Sequence, residues 1–286
     1  MTMVAAVAEM EQVAELAPAP TRKIEPKPDT QATDSIVWPR KCDVFGVGVS
    51  ATTYEECERV IIAAAKRHLS ATVTHTSSHG LTDAARDEKF RAVINSFDIV
   101  APDGQPVRWL VNKFHKANLP DRCYGPELMI RLCRAAARQG VSIYLYGSSQ
   151  KVLDAMSWNL KQQCPNLIIA GVESPPFRAL TPEETEAAIK RINDSGAGLV
   201  FIGLGCPRQD YFASENKQKI KAVQLAVGAA FDFHAGNKKM APRWMQKRGL
   251  EWFYRLTQEP TRLWKRYFLI HTTLAMLLTK RMILGR

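Results

Sequence analysis

No two of the six cysteines (Cys42, Cys57, Cys123, Cys133, Cys164, Cys206) form a CxxC, and none stands at ligand spacing from a histidine. Free thiols in a reducing compartment are expected, with neither a disulfide framework nor a zinc site. A Walker A lysine loop, a GxSxG elbow and an HExxH helix are also missing, which argues against P-loop nucleotide hydrolysis, serine hydrolysis and zinc proteolysis. No D-x-D pair occurs, so charge developing on a departing phosphate falls to cationic side chains and not to a carboxylate-held metal. No metal and no cofactor are expected. Phe268 to Arg286 is apolar for about a dozen residues before Lys280 and Arg281 interrupt, short of the ~20 that a spanning helix needs. The N-terminus lacks a basic n-region and places Glu9, Glu11 and Glu15 where a signal peptide needs an apolar core, which reads against export and for a cytoplasmic protein. Residues 17 to 34 carry almost no apolar mass, so residues 1–35 are expected to form a disordered tail.

Acidic residues are in short supply: 39 Lys and Arg face 28 Asp and Glu, for a net charge of +11. The imbalance is local. Between Lys238 and Tyr267 the cations Lys238, Lys239, Arg243, Lys247, Arg248, Arg255, Arg262, Lys265 and Arg266 meet only Glu251 and Glu259. Such a patch suits nucleic-acid phosphates, a phosphorylated small molecule or anionic lipid headgroups. No helix-turn-helix, zinc-finger or RNA-recognition signature accompanies it, so a nucleic-acid partner is not expected. The basic segment followed by an apolar one fits a helix lying on an anionic membrane surface. A helix docked on the protein's own core fits the same periodicity, and both readings stand.

With 46% hydrophobic residues the chain can bury a full-sized core. Asp43–Val49 reads as a first strand, and Thr53 as the N-cap of a helix with apolar residues at helical spacing. Strands and helices then alternate: SATVTHT, a single helix DAARDEKFRAVINS, FDIVAP, helices GQPVRWLVNKFH and PELMIRLCRAAARQG, and VSIYLYG. SQKVLDAMSWNLKQQC, NLIIAGV, TPEETEAAIKRINDSG, GLVFIGLG, QDYFASENKQKI and AVQLAVG follow. Short, continuously apolar strands between amphipathic helices predict an α/β fold, a mostly parallel Rossmann-like sheet with helices on both faces. Residues 36–236 are assigned to this domain and residues 237–286 to a basic helical appendage.

Ligands of such sheets bind beyond the C-terminal strand ends, and four of these ends carry unusual chemistry. Asp103-Gly104 follows FDIVAP, where a carboxylate suits a general base; a turn aspartate capping the next helix is the competing reading. After GLVFIGLG, Gly203 and Gly205 free the backbone while Pro207, Arg208 and Gln209 lead into a helix N-terminus, an arrangement suited to a diphosphate. Arg208 breaks the G-x-G-x-x-G spacing, which disfavours NAD. Gly147 opens a similar strand-to-helix turn after VSIYLYG, and Asp232 lies in the turn-rich stretch after AVQLAVG. His75 and His79 near a strand end, and His234, suit substrate contact and structural hydrogen bonds equally. Trp244, Trp252 and Trp264 read as packing or interfacial anchors.

The ordered set VTHTSSH, APDGQPV, DRCYGPELM, YLYGSSQKV, FIGLGCPRQD, VGAAFDFHAG and APRWMQKRGLEWFYRLTQEPTRLWKRY resembles the WecG/TagA/CpsF family of bacterial glycosyltransferases over about residues 43 to 267. The resemblance implies an inverting, metal-independent transfer of a sugar from a UDP-sugar to a polyprenyl-diphosphate-linked saccharide at the inner face of the cytoplasmic membrane. It places the catalytic base on Asp103 and a substrate-binding threonine on Thr74. It sets Gln209 near the nucleotide and assigns the UDP diphosphate to Arg248, Arg255 and Arg262 or their near neighbours. Two departures alter the expected wall: Thr76-Ser77-Ser78 replaces an Asn-Ala-Glu type sequence, and Met240 replaces an arginine for which Lys238 or Lys239 can substitute. A membrane-docked, non-catalytic scaffold of polysaccharide assembly is the alternative, and a homo-oligomer is compatible with either.

Overall fold

The structure, a computed structural model, describes residues 35–284. The tail expected over residues 1–35 lies, but for its last residue, outside that range. The chain opens with β1 (Lys41–Val44) and β2 (Val47–Ser50), then α1 (Tyr54–Lys66), β3 (Ala71–Thr76), α2 (Ser78–Arg86), α3 (Glu88–Asn95), β4 (Ile99–Pro102) and α4 (Gln105–His115). α5 (Gly125–Gln139), β5 (Ile143–Gly147), α6 (Gln150–Gln163), β6 (Ile169–Glu173), α7 (Pro182–Asp194), β7 (Leu199–Gly203), α8 (Arg208–Glu215) and β8 (Val223–Ala226) complete the alternation. Four helices close the chain: α9 (Ala230–His234), α10 (Arg243–Lys247), α11 (Glu251–Gln258) and α12 (Pro260–Leu284).

The main sheet has six strands in the order β4-β3-β8-β7-β5-β6, all parallel. Its buried strands send alternate residues to opposite faces. Leu145 and Phe201 join Ile61, Leu128, Leu132, Leu153 and Phe231 in one core under α1, α5, α6 and α9. Tyr144, Tyr146, Val200 and Ile202 join Leu81, Phe90, Val107 and Ile189 in a second core on the other face. The α/β reading with helices on both faces therefore holds.

Two elements differ from the sequence reading. The strand expected over Asp43–Val49 is a hairpin, because Phe45 and Gly46 both take positive φ (57° and 84°) and turn the chain between β1 and β2. The hairpin pairs outside the main sheet, and the Ser50 hydroxyl accepts from the Val100 amide at 3.0 Å. The single helix expected over Asp83–Ser96 is broken at Asp87, whose carboxylate accepts from the Phe90 amide and starts α3. Elsewhere the caps act as read: Thr53 accepts from the Glu56 amide, and Gly140, at φ 68°, ends α5.

α12 settles on its own domain. Leu263, Ile270 and Thr273 are buried, and Leu274 and Leu278 pack against the second core. Arg281 reaches Asp43 at 3.4 Å and lies over the Phe114 ring, while Arg266 bonds His79 of α2 at 2.8 Å. The opposite face exposes Trp264, Phe268, Leu269, Met276, Met282 and Ile283. Among the described residues no helix is long and apolar enough to cross a membrane. All six cysteines are free, with Cys206 exposed and the other five buried.

Candidate active site

The chain leaves β3 for β4 on one side, while β8 and the remaining strands lie on the other. Parallel α/β sheets receive ligands in the crevice beyond the carboxyl ends of their strands where the order switches, and by strand order that place falls at β3. Asp103 stands at the end of β4. Its amide bonds the Thr76 carbonyl at 3.0 Å, and its Oδ1 accepts from the amide of Gly125, the first residue of α5, at 2.8 Å. α4 has Gly104 as its N-cap and no side-chain capping bond. The carboxylate thus caps no part of the following helix; it is oriented by the N-terminus of a later one, with Oδ2 left for other contacts.

His75 borders this carboxylate. A Cβ on Gly125 would stand 3.4 Å from its ring, its Nδ1 lies 3.3 Å from the Ala226 carbonyl, and its Nε2 is buried without a partner. Burial pushes the His75 pKa down against the pull of Asp103, so the ring is neutral beside the carboxylate.

Thr74 is buried on β3, and its hydroxyl donates to Asp210 Oδ1 at 2.6 Å. Any contact of Thr74 with a ligand would have to use its oxygen lone pairs. Asp210, buried on α8, has its pKa pushed up to about 6 by burial, against the pull of its hydrogen bonds from Thr74 and Cys206. Neighbouring Gln209 is a loop brace: its Oε1 accepts from the Gly205 amide at 3.1 Å, and a Cβ on Gly228 would collide with that oxygen at 2.9 Å. Gly147 and Gly203 answer to packing as well as to access. A Cβ on Gly147 would lie 2.6 Å from the Gly203 backbone, and one on Gly203 would lie 2.5 Å from the Phe231 ring. Gly205, by contrast, faces open space, and Pro207 and Arg208 are exposed at the start of α8.

The C-terminal helices bring a second group to the crevice. Glu251 pairs with Arg122 at 2.7 Å and with Arg255 at 2.8 Å, and accepts from the Tyr124 hydroxyl at 3.2 Å. Arg122 also donates to Gln246 Oε1 at 3.0 Å and lies 4.2 Å from the Tyr124 ring centre. Arg255 stands over Phe233, whose ring meets Tyr124 edge-on. Burial disfavours the Glu251 carboxylate, but the two guanidiniums outweigh it and hold its pKa below the ordinary carboxylate range. Burial likewise opposes the Arg255 charge, and Glu251, Tyr124 and Asp103 more than restore it. The Cys123 amide bonds the Pro102 carbonyl at 2.8 Å and the Gly125 amide bonds Asp103 at 2.8 Å, so the segment that carries Arg122 and Tyr124 runs alongside the strand-end carboxylate.

The other expected cations are spread out. Arg248 ends α10 in solvent with its guanidinium 5.9 Å from the Trp244 ring centre. Arg262 is exposed on α12 and paired with Glu259, which also lies 3.9 Å from Lys238. Asp232 lies 3.9 Å from the same lysine. Of the residues picked out from sequence, the structure gathers Asp103 and Arg255 at one cluster and ties Thr74 to the helix that carries Gln209. Arg122, Tyr124, Asp210 and Glu251 were not picked out. Only the DRCYG block, an arginine three residues before a Gly-Pro helix start, signals the first two in the sequence.

A family model described as the glycosyl transferase WecG/TagA/CpsF family matches residues 42–286. Among curated proteins, the N-acetylglucosaminyldiphosphoundecaprenol N-acetyl-beta-D-mannosaminyltransferase of Bacillus subtilis (strain 168) is 32% identical over 184 residues, which cover 64% of this chain and 69% of that protein.

Proposed function

The chain belongs to the WecG/TagA/CpsF family of glycosyl transferases, and on that premise we propose that it moves a sugar from a UDP-sugar to a polyprenyl-diphosphate-linked saccharide, with inversion and without a metal. The mannosaminyltransferase activity of the Bacillus subtilis relative supports a lipid-diphosphate acceptor and N-acetylmannosamine as one donor sugar; glucose or a similar hexose is the other choice. The observation that carries the reading is a carboxylate fixed at a strand end, Asp103 on the Gly125 amide, beside the Arg122, Tyr124 and Arg255 cluster.

The chemistry follows from that pairing. An acceptor hydroxyl attacks the anomeric carbon, its oxygen forms the new glycosidic bond, and the bond from that carbon to the diphosphate oxygen breaks. The hydroxyl proton passes to Asp103 as general base. The electron pair leaves on UDP, where guanidiniums already held in the crevice meet the new charge without reorganising. Thr74, Gln209 and the loops opening at Gly147, Gly203 and Gly205 wall the donor side, with Pro207, Arg208 and Asp232 at its rim, and Arg248 and Arg262 supply outer positive potential.

The exposed apolar face of α12, with Lys265 and Lys280 beside it, is proposed to rest on the anionic inner face of the cytoplasmic membrane, where a lipid-linked acceptor is held. The test is UDP release by the purified protein across a panel of UDP-sugars, with and without a short-chain prenyl-diphosphate saccharide. Release with one donor that depends on the acceptor is expected, and no release with any pair would refute the reading.

A further inference from the structure

No residue of α11 is fully buried, so the hydrophobic effect alone does not fix it over the crevice. Its fastening is polar and aromatic. Trp252 meets Tyr267 and His271 of α12, and Glu251, at the first position of α11, reaches 127 residues back to Tyr124 and to the neighbouring Arg122. We infer that Glu251 is a positioning residue: by pairing with Arg122 and Arg255 together, it seats α10 and α11 on the catalytic crevice and fixes two guanidiniums beside Asp103.

The geometry supports this assignment at each contact. Arg122 is only 7% exposed and Glu251 12%, and a buried guanidinium is held at low cost only when a carboxylate and further hydrogen bonds satisfy it. Arg122 finds both on the C-terminal segment, the carboxylate of Glu251 and the amide oxygen of Gln246. Arg255 lies one turn along from Glu251 on the same helix and takes the other carboxylate oxygen. A single carboxylate thus sets the separation of two cations that would otherwise repel each other, and it leaves the pair with a net positive charge. A negative side chain in the first turn of α11 also suits the positive end of that helix.

The inference rests on the transferase reading for its kinetic part alone. Glu251→Gln keeps the shape and removes the charge, while Glu251→Asp keeps the charge on a chain one methylene shorter. If pairing positions the guanidiniums, the Gln variant loses about tenfold to a hundredfold in kcat, the scale of a misplaced catalytic group, with acceptor KM nearly unchanged, and the Asp variant retains more activity than the Gln variant. A purely packing role predicts the opposite order. Gln at or above wild-type turnover, or Asp below Gln, would overturn the proposal.

A second readout needs no substrate. Trypsin should cut the Gln variant faster than wild type at the exposed Lys247 and Arg248 while the α/β body stays intact; cleavage spread over the whole chain, or no change, counts against the proposal. Wild-type protein inert with every UDP-sugar would defeat the transferase reading instead, and the tryptic comparison would still decide the role of Glu251.

Discussion

Asp103 and Asp210 are both carboxylates near strand ends, yet their surroundings prescribe different behaviour. Asp103 is half-buried and held by the Gly125 amide, a bond that an asparagine oxygen can also accept. Asp103→Asn should therefore fold normally and bind UDP, while turnover falls by ~10²-fold or more, the scale of a lost general base. Asp210 holds its proton more tightly in the folded state than its ordinary value of 3.8 allows, with a pKa of about 6. Between those two values the folded state carries more proton than the unfolded one, so this residue's contribution falls as pH rises through that window. The full difference is roughly 3 kcal/mol at about 1.4 kcal/mol per unit. Urea unfolding at pH 7.5 should find Asp210→Asn more stable than wild type by about 1–3 kcal/mol, with the gain gone near pH 4; a variant equally destabilised at both pH values would contradict this. The place of Asp103 at a strand end was legible because it sits in a short strand-end motif. Asp210 and Glu251 were not, because each draws its meaning from a partner more than a hundred residues away, Thr74 for the one and Arg122 and Tyr124 for the other.

The elements divide the same way between local and distant causes. Each parallel strand was legible as a short apolar run, and most helices from caps such as Thr53 and Gly140, since those signals are contained in a few adjacent residues. The hairpin was missed because DVFGVGV reads as one strand unless Phe45 is allowed a positive φ, which a bulky residue rarely adopts. For α12 the periodicity left two readings open, and the structure gives the helix a buried stripe and an exposed apolar one. The two faces should separate by substitution. Ile270→Ala, on the docked stripe, should cost about 2–4 kcal/mol of stability. Phe268→Ser with Met276→Ser, on the exposed face, should leave the thermal midpoint nearly unchanged and weaken flotation with anionic vesicles. Full flotation of that double variant would refute the membrane contact. Cutting the chain after Tyr267 cannot separate these roles, because it also removes Ile270, Thr273 and the Arg281 contacts with Asp43 and Phe114.

At the scale of the molecule, the proposed reaction draws its base, Asp103, from the end of the sheet, one guanidinium, Arg122, from the segment before α5, and the other, Arg255, from α11. The net charge of +11 was visible at once; which of its cations enter the site was not, since Arg255 reaches the cluster while Arg248 and Arg262 stay at the surface. If guanidiniums alone neutralise the leaving diphosphate, EDTA should leave the rate within about twofold, and loss of activity restored by Mg²⁺ or Mn²⁺ would show that a metal supplies that charge. The most direct test of the account is acceptor-dependent UDP release by wild type and Asp103→Asn, measured side by side with the same donor and lipid-diphosphate acceptor. Steady release by wild type and a rate about a hundredfold lower for the variant are expected. Equal rates for the two proteins would contradict this.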